Sequence, residues 1–140
     1  MTQADAFRNA MHQQQFHNLA GSPLLLDVMS RLRIESIIDT HAPAGAKQNV
    51  SHGQAALALL LTRLLEPKAL YKVADWLAGT GVDIVLSHEG AAFTDDTLGR
   101  MLDAVSEQTD AIWTDVLREV VSAYPEMAEA VIQYDLTSVY

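Results

Sequence analysis

From Ala55 to Leu65 the chain reads AALALLLTRLL, and only Thr62 and Arg63 are polar. A helix that is apolar nearly all round has no face to offer water, so this segment predicts a central buried helix with other helices around it. Its limits are local. Ser51 is a good N-cap, and Gln54 lies three residues on, where cap and third residue satisfy each other's backbone N–H groups. Glu66-Pro67 ends the helix, because proline disfavours the α conformation in the residue before it.

The neighbouring segments read as helices to pack against it. Ser22-Pro23 opens the first, with Ser as N-cap and Pro at the first helical position. Leu24, Leu25, Val28, Met29 and Leu32 follow at helical spacing. Ile34, Ile37 and Ile38 predict a short helix, which His41-Ala42-Pro43-Ala44-Gly45 breaks. Ala69 to Leu77 reads as a further short helix, stopped by Gly79-Thr80-Gly81. Val82 to Leu86, VDIVL, suits either a strand or a helical turn, and Ser87 to Phe93 reads as a loop. Thr94 or Asp95 caps a helix bearing Leu98, Met101, Leu102 and Val105. A last long helix runs from about Thr109 to Tyr124, with Ile112, Trp113, Val116, Leu117, Val120, Val121 and Tyr124 as its stripe and Pro125 at its exit.

The two ends differ in character. Residues 1–20 form a polar, Gln-rich lead. Ala130 to Tyr140, AVIQYDLTSVY, is rich in β-branched and aromatic residues and predicts a strand. A lone strand leaves its backbone groups unpaired, so it is expected to belong to a sheet these residues do not complete. The expected fold is all-α, with five or six helices and one C-terminal β-strand of a truncated α/β core. The divisions are 1–20, 21–126 and 127–140.

At 140 residues the chain holds one domain comfortably, and 49% apolar residues supply a core. The absence of cysteine excludes a disulfide scaffold and a thiolate metal site. No apolar run approaches the roughly 18 residues of a spanning helix. The N-terminus lacks a secretory pattern, so the expected location is cytoplasmic, with no membrane partner. The net charge of −9 counts against the chain as a main DNA clamp, although a local basic patch could still bind DNA.

Few residues suggest chemistry. Asp135, in the expected strand, is a candidate metal ligand, since two-metal phosphoryl transfer needs several carboxylates around ions about 3.5–4 Å apart. An isolated strand aspartate is more often an edge residue. Arg63, Lys68 and Lys72 span a helix, a proline turn and the next helix, an arrangement that suits a DNA backbone or an ordinary solvated face. His52 reads as a DNA-phosphate contact or, more simply, a solvated first-turn histidine. Gly53 reads as a close-packing position. Trp76 and Trp113 read as core or interface residues. Asp95 and Asp96 suit a cap and helix-dipole partners better than a metal site. His12, His17, His41 and His88 lack zinc-site spacing.

Four motifs together resemble a known family. Tyr134-Asp135-Leu136-Thr137-Ser138-Val139-Tyr140 resembles the D-x-T-S segment that opens the ribonuclease-H-like core of many DDE-type insertion-sequence transposases. Val50-Ser51-His52-Gly53-Gln54-Ala55 resembles a signature of the uncharacterised helical domain that precedes that core. Thr62-Arg63-Leu64-Leu65, Pro67, Leu70-Tyr71-Lys72-Val73 and Trp76 resemble its next segment, with Thr62 in place of a usual Asn. Asp95-Asp96-Thr97-Leu98-Gly99-Arg100 with Leu102-Asp103 resembles a third, with Thr97 in place of a usual Arg.

The resemblance runs from about Leu19 to Tyr140. It implies the N-terminal part of a transposase, with Asp135 as first catalytic carboxylate and Mg²⁺ ligand of the full-length enzyme. Thr137 and Ser138 would support that strand. The second Asp and the Glu of the triad are not matched, so these residues alone are expected to be inactive and to need no cofactor. The helical part would bind the element's inverted-repeat DNA, through Arg63, Lys68, Lys72 and His52, or assemble subunits as a homodimer. A stand-alone helical regulator is the third reading.

Overall fold

The computed structural model describes residues 21–129, and the fold is mostly helical. Seven α-helices follow in order: α1 (Ser22–Arg31), α2 (Ile34–His41), α3 (His52–Leu65), α4 (Val73–Thr80), α5 (Val82–Val85), α6 (Asp95–Ser106) and α7 (Thr109–Ala123). Three 3₁₀ turns, Leu70–Lys72, Gly90–Ala92 and Pro125–Glu129, lie among them. No strand occurs among the described residues. The strand expected at 130–140, with Asp135, and the 1–20 lead lie outside them. Met127 to Glu129, expected with that strand, belong to the last 3₁₀ turn.

α3 is the axis of the fold, with α1, α2, α4 and α6 packed against it. Ala55, Ala58 and Leu61 are fully buried along it. Thr62 is buried too, and its hydroxyl donates to the Ala58 carbonyl at 2.8 Å, which satisfies that side chain within the core. Burial is not complete all round, because Leu60 and Leu64, one turn apart, stand exposed. The capping box forms as its spacing predicts. Gln54 N–H donates to Ser51 Oγ at 3.1 Å, and Ser51 N–H donates to Gln54 Oε1 at 3.0 Å.

The other helices complete the core with the expected residues. Phe93, Leu77, Leu98 and Val73 are fully buried against α3 and its neighbours. Thr94 caps α6, accepting from Thr97 N–H. Gly81, at φ 74°, turns the chain out of α4 in the left-handed conformation that glycine adopts freely.

One local expectation needs correction, and one open choice is resolved. Ser22 does not cap α1. Gly21 holds the N-cap position without a side-chain bond, and Ser22 is a fully buried residue of the first turn. Of the strand and the helical turn that Val82 to Leu86 suited, the helical turn forms, as α5 (Val82–Val85) with Leu86 at its C-cap. Val82 and Leu86, four apart, face the core, while Ile84 between them is exposed. A strand would have put Val82, Ile84 and Leu86 on one side.

Candidate functional site

The Ser51-His52-Gly53-Gln54 motif builds the crossing of α2 and α3. Gly53 N–H donates to Asp39 Oδ1 at 2.7 Å. A methyl group on Gly53 would meet the Glu35 backbone carbonyl, with Glu35 Cγ at 2.8 Å and Asp39 Oδ2 at 2.9 Å. Only glycine lets the helices approach this closely, as expected for this position. His52 is 5% exposed, and its Nδ1 lies 2.9 Å from the Ala42 carbonyl oxygen. The expectation of a solvated histidine is therefore overturned, and the ring is not at the surface to meet a phosphate. A short sequence window hides this, since Ala42 lies ten residues upstream in the preceding loop.

The basic trio separates. Lys68 pairs with Glu66, whose other carboxylate oxygen accepts from Trp76 Nε1–H at 2.8 Å. These two bonds, Lys68 first, hold the Glu66 carboxyl below its usual range. Lys68 is thus largely neutralised. Arg63 is exposed on the last turn of α3 and makes no ion pair among the described residues. Lys72 is exposed in the 3₁₀ turn that follows, its ammonium 5.6 Å from the Tyr71 ring centre. Tyr71 is itself 66% exposed.

The same pattern repeats over the surface. Of the eight basic residues described, Arg31, Arg33, Lys68, Arg100 and Arg118 each pair with a carboxylate, which leaves Lys47, Arg63 and Lys72. Two of those three flank the exit of α3: Arg63 on its last turn, which also carries the exposed Leu64, and Lys72 in the 3₁₀ turn that follows, beside Tyr71. This edge is the candidate interface. Asp96 pairs with Arg100 one turn on, and Asp95 caps its own neighbour's N–H, so both serve the start of α6. No three His, Cys, Asp or Glu side chains among the described residues are placed to hold a metal ion.

Sequence reading missed a second feature, the ionic clip between α2 and α7. His41 Nε2 lies 2.7 Å from Asp115 Oδ2, Arg118 also pairs with Asp115, and Arg33 Nη1 lies 3.3 Å from Glu119 Oε1. The His41 bond lowers the Asp115 pKa; partial burial opposes the shift, and the nearby Arg118 charge supports it. No sequence signal links residues 74 positions apart. Trp76 packs against the core, but Trp113 is exposed on the outer side of α7, so it is not a core residue.

These residues form a helical domain in which the recurring motifs do structural work. A family model described as a domain of unknown function, DUF4277, matches residues 14–120. That is well over half of the chain, and the chain belongs to this family. Asp135 lies beyond the matched residues. No curated protein and no solved structure matches the chain. No helix among the described residues is long and apolar enough to cross a membrane.

Proposed function

We propose that this chain is the N-terminal part of a DDE-type transposase, and that its helical domain contacts the element's DNA ends through the edge at the exit of α3. The transposase reading rests on the resemblance of the four motifs. The DNA reading is supported by one observation: Arg63 and Lys72, unlike most basic residues described, make no ion pair among the described residues, and Lys72 stands beside the exposed Tyr71. Two cations and an aromatic ring suit a phosphate backbone and an exposed base. Lys68 contributes less than its sequence position suggests, and His52 contributes nothing at the surface. In the full-length enzyme Asp135 is the proposed first Mg²⁺-holding carboxylate. A chain of these 140 residues is expected not to nick DNA with Mg²⁺, since one carboxylate cannot hold two ions. Nicking lost on Asp135→Ala would overturn that.

The test is a gel shift with inverted-repeat DNA at several salt concentrations. Each phosphate contact contributes a slope of about −0.9 in log K against log salt. Arg63→Ala with Lys72→Ala is expected to reduce the slope by about 2 and weaken binding of all sequences alike. Unchanged binding would overturn the assignment of this edge. A second reading, subunit assembly as a homodimer, is favoured by the exposed Leu60 and Leu64 on the same edge and by the net charge of −9. It predicts dimers by light scattering that Leu64→Glu dissociates, with no DNA shift.

A further inference from the structure

A chain of net charge −9 repels anions over most of its surface. One cleft departs from that. It lies at the entrance of α3, where residues 47–50 meet Ala92 and the first half of α6. Lys47 and Arg100 stand on it, and no carboxylate lines it. Other clefts are acidic: Glu35 and Asp39 line one, Asp115 and Glu119 a second, Asp83 and Glu89 a third. The length of α3, roughly 20 Å, separates this cleft from the edge at Arg63.

Each group on the cleft suits an anion. Lys47 is exposed and makes no ion pair among the described residues, so its charge is not neutralised. Arg100 gives Nη2 to Asp96 one turn back, and its guanidinium carries further N–H groups beyond that pair. The amide oxygen of Gln48 is buried without a hydrogen-bond partner among the described residues, so what this side chain offers the cleft is its N–H₂ donor. Val50, 2% exposed, and the half-buried Ala92 give the cleft an apolar floor, and a low-dielectric wall strengthens the field of the two cations. The volume is about 200 Å³, below the roughly 300–1,000 Å³ of sites for drug-sized ligands. That suits a small group rather than a whole cofactor.

We propose that this cleft binds a phosphate group, with Lys47 and Arg100 on its oxygens and the Gln48 amide as a further donor. Two cations match a phosphate better than a carboxylate, which carries a single charge. A nucleic-acid backbone and a free phosphate ester both present this group. The assignment stands on the chemistry of the cleft and does not rest on the DNA reading of the α3 exit.

Thermal unfolding of the whole chain in inorganic phosphate, against chloride at equal ionic strength, tests this. Phosphate also stabilises folded proteins in general by exclusion from their surface, so the difference between parent and variant decides. Lys47→Gln removes an exposed, unpaired charge and leaves the fold intact. It is expected to lose part of the phosphate-dependent rise in Tm, and Lys47→Gln with Arg100→Gln the rest of the specific rise. Equal rises in the parent and both variants would overturn the proposal. Arg63→Ala with Lys72→Ala is expected to keep the full rise, which separates this cleft from the α3 exit. A deoxynucleoside monophosphate and a short DNA duplex, at equal phosphate concentration, distinguish the sources. A Lys47-dependent rise larger with the duplex identifies a nucleic-acid backbone, and one larger with the mononucleotide a free ester. Amide chemical shifts give an independent reading. Phosphate is expected to move the signals of residues 47–50, Ala92 and Thr97, and movement confined to other residues would overturn the proposal.

Discussion

Nδ1 of His52 lies 2.9 Å from the carbonyl oxygen of Ala42, and that contact determines where the ring carries its proton. A carbonyl only accepts, so Nδ1–H donates. In the neutral ring Nε2 then keeps its lone pair, buried and without a hydrogen-bond partner among the described residues. The imidazole ties the start of α3 to the loop that leaves α2. His52→Ala removes this bond and opens a cavity, and is expected to cost about 2–3 kcal/mol in urea unfolding. A loss of DNA affinity with unchanged stability would show the ring to be a surface contact instead.

Two helical glycines are expected to respond oppositely to the same change. Ala exceeds Gly in helix propensity by roughly 1 kcal/mol, which favours Gly→Ala wherever there is room. At Gly99, on α6, nothing lies within 4 Å of the added carbon, so Gly99→Ala is expected to stabilise by about 0.5–1 kcal/mol. At Gly53 the added carbon meets the Glu35 backbone, which cannot rotate aside. Overpacking there is expected to outweigh the propensity gain, for a net loss of about 1–2 kcal/mol. Thermal melts of the two variants, compared with the parent, check both signs.

The clip between α2 and α7 is expected to weaken in acid. Asp115 is held below its ordinary value of 3.8, first by the His41 hydrogen bond and, against the opposing effect of burial, by Arg118. A carboxyl lowered on folding contributes stability that is present above the unfolded value and lost as pH falls through the folded one. Asp115→Asn is therefore expected to lower Tm at about pH 7 and to match the parent by about pH 2. A gap between the two proteins that is as wide in acid as at neutral pH would contradict this.

Glu66 controls how basic the exit of α3 is. Its carboxylate holds Lys68 on one oxygen and the Trp76 indole on the other. Glu66→Gln keeps an acceptor for the indole and releases the Lys68 charge. If this edge meets DNA, binding tightens and the salt slope steepens by about 0.9, one further phosphate contact. Unchanged binding would place the DNA contact elsewhere.

The helices and their ends were legible in the residues. Ser51 with Gln54, Thr94 before α6, Pro67 after α3 and the glycine at position 81 act within three or four positions. Caps and breakers of this kind carry their partners with them. The one error among them, Ser22, arose because Gly21 holds the cap position and the serine packs inside instead.

The candidate interface was half legible. Arg63 and Lys72 stand exposed where the pattern placed them, but Lys68 is paired through a two-residue contact with Glu66, which a count of basic residues ignores. α7 shows the limit most clearly. Its seven apolar positions formed one stripe in the sequence, yet the fold turns Ile112 inward and leaves Trp113, Leu117 and Val121 outside. A stripe wider than the neighbouring helices can cover must leave part of itself exposed, and which part depends on α2, some 74 residues away.

The sequence by itself therefore determined a helical domain around Ala55–Leu65, because helix periodicity and capping are short-range. Tertiary structure alone decided that His52 is buried, that residues 82–85 are helical and that one face of α7 is exposed. Each of those depends on which distant residues arrive alongside, and no local pattern carries that information.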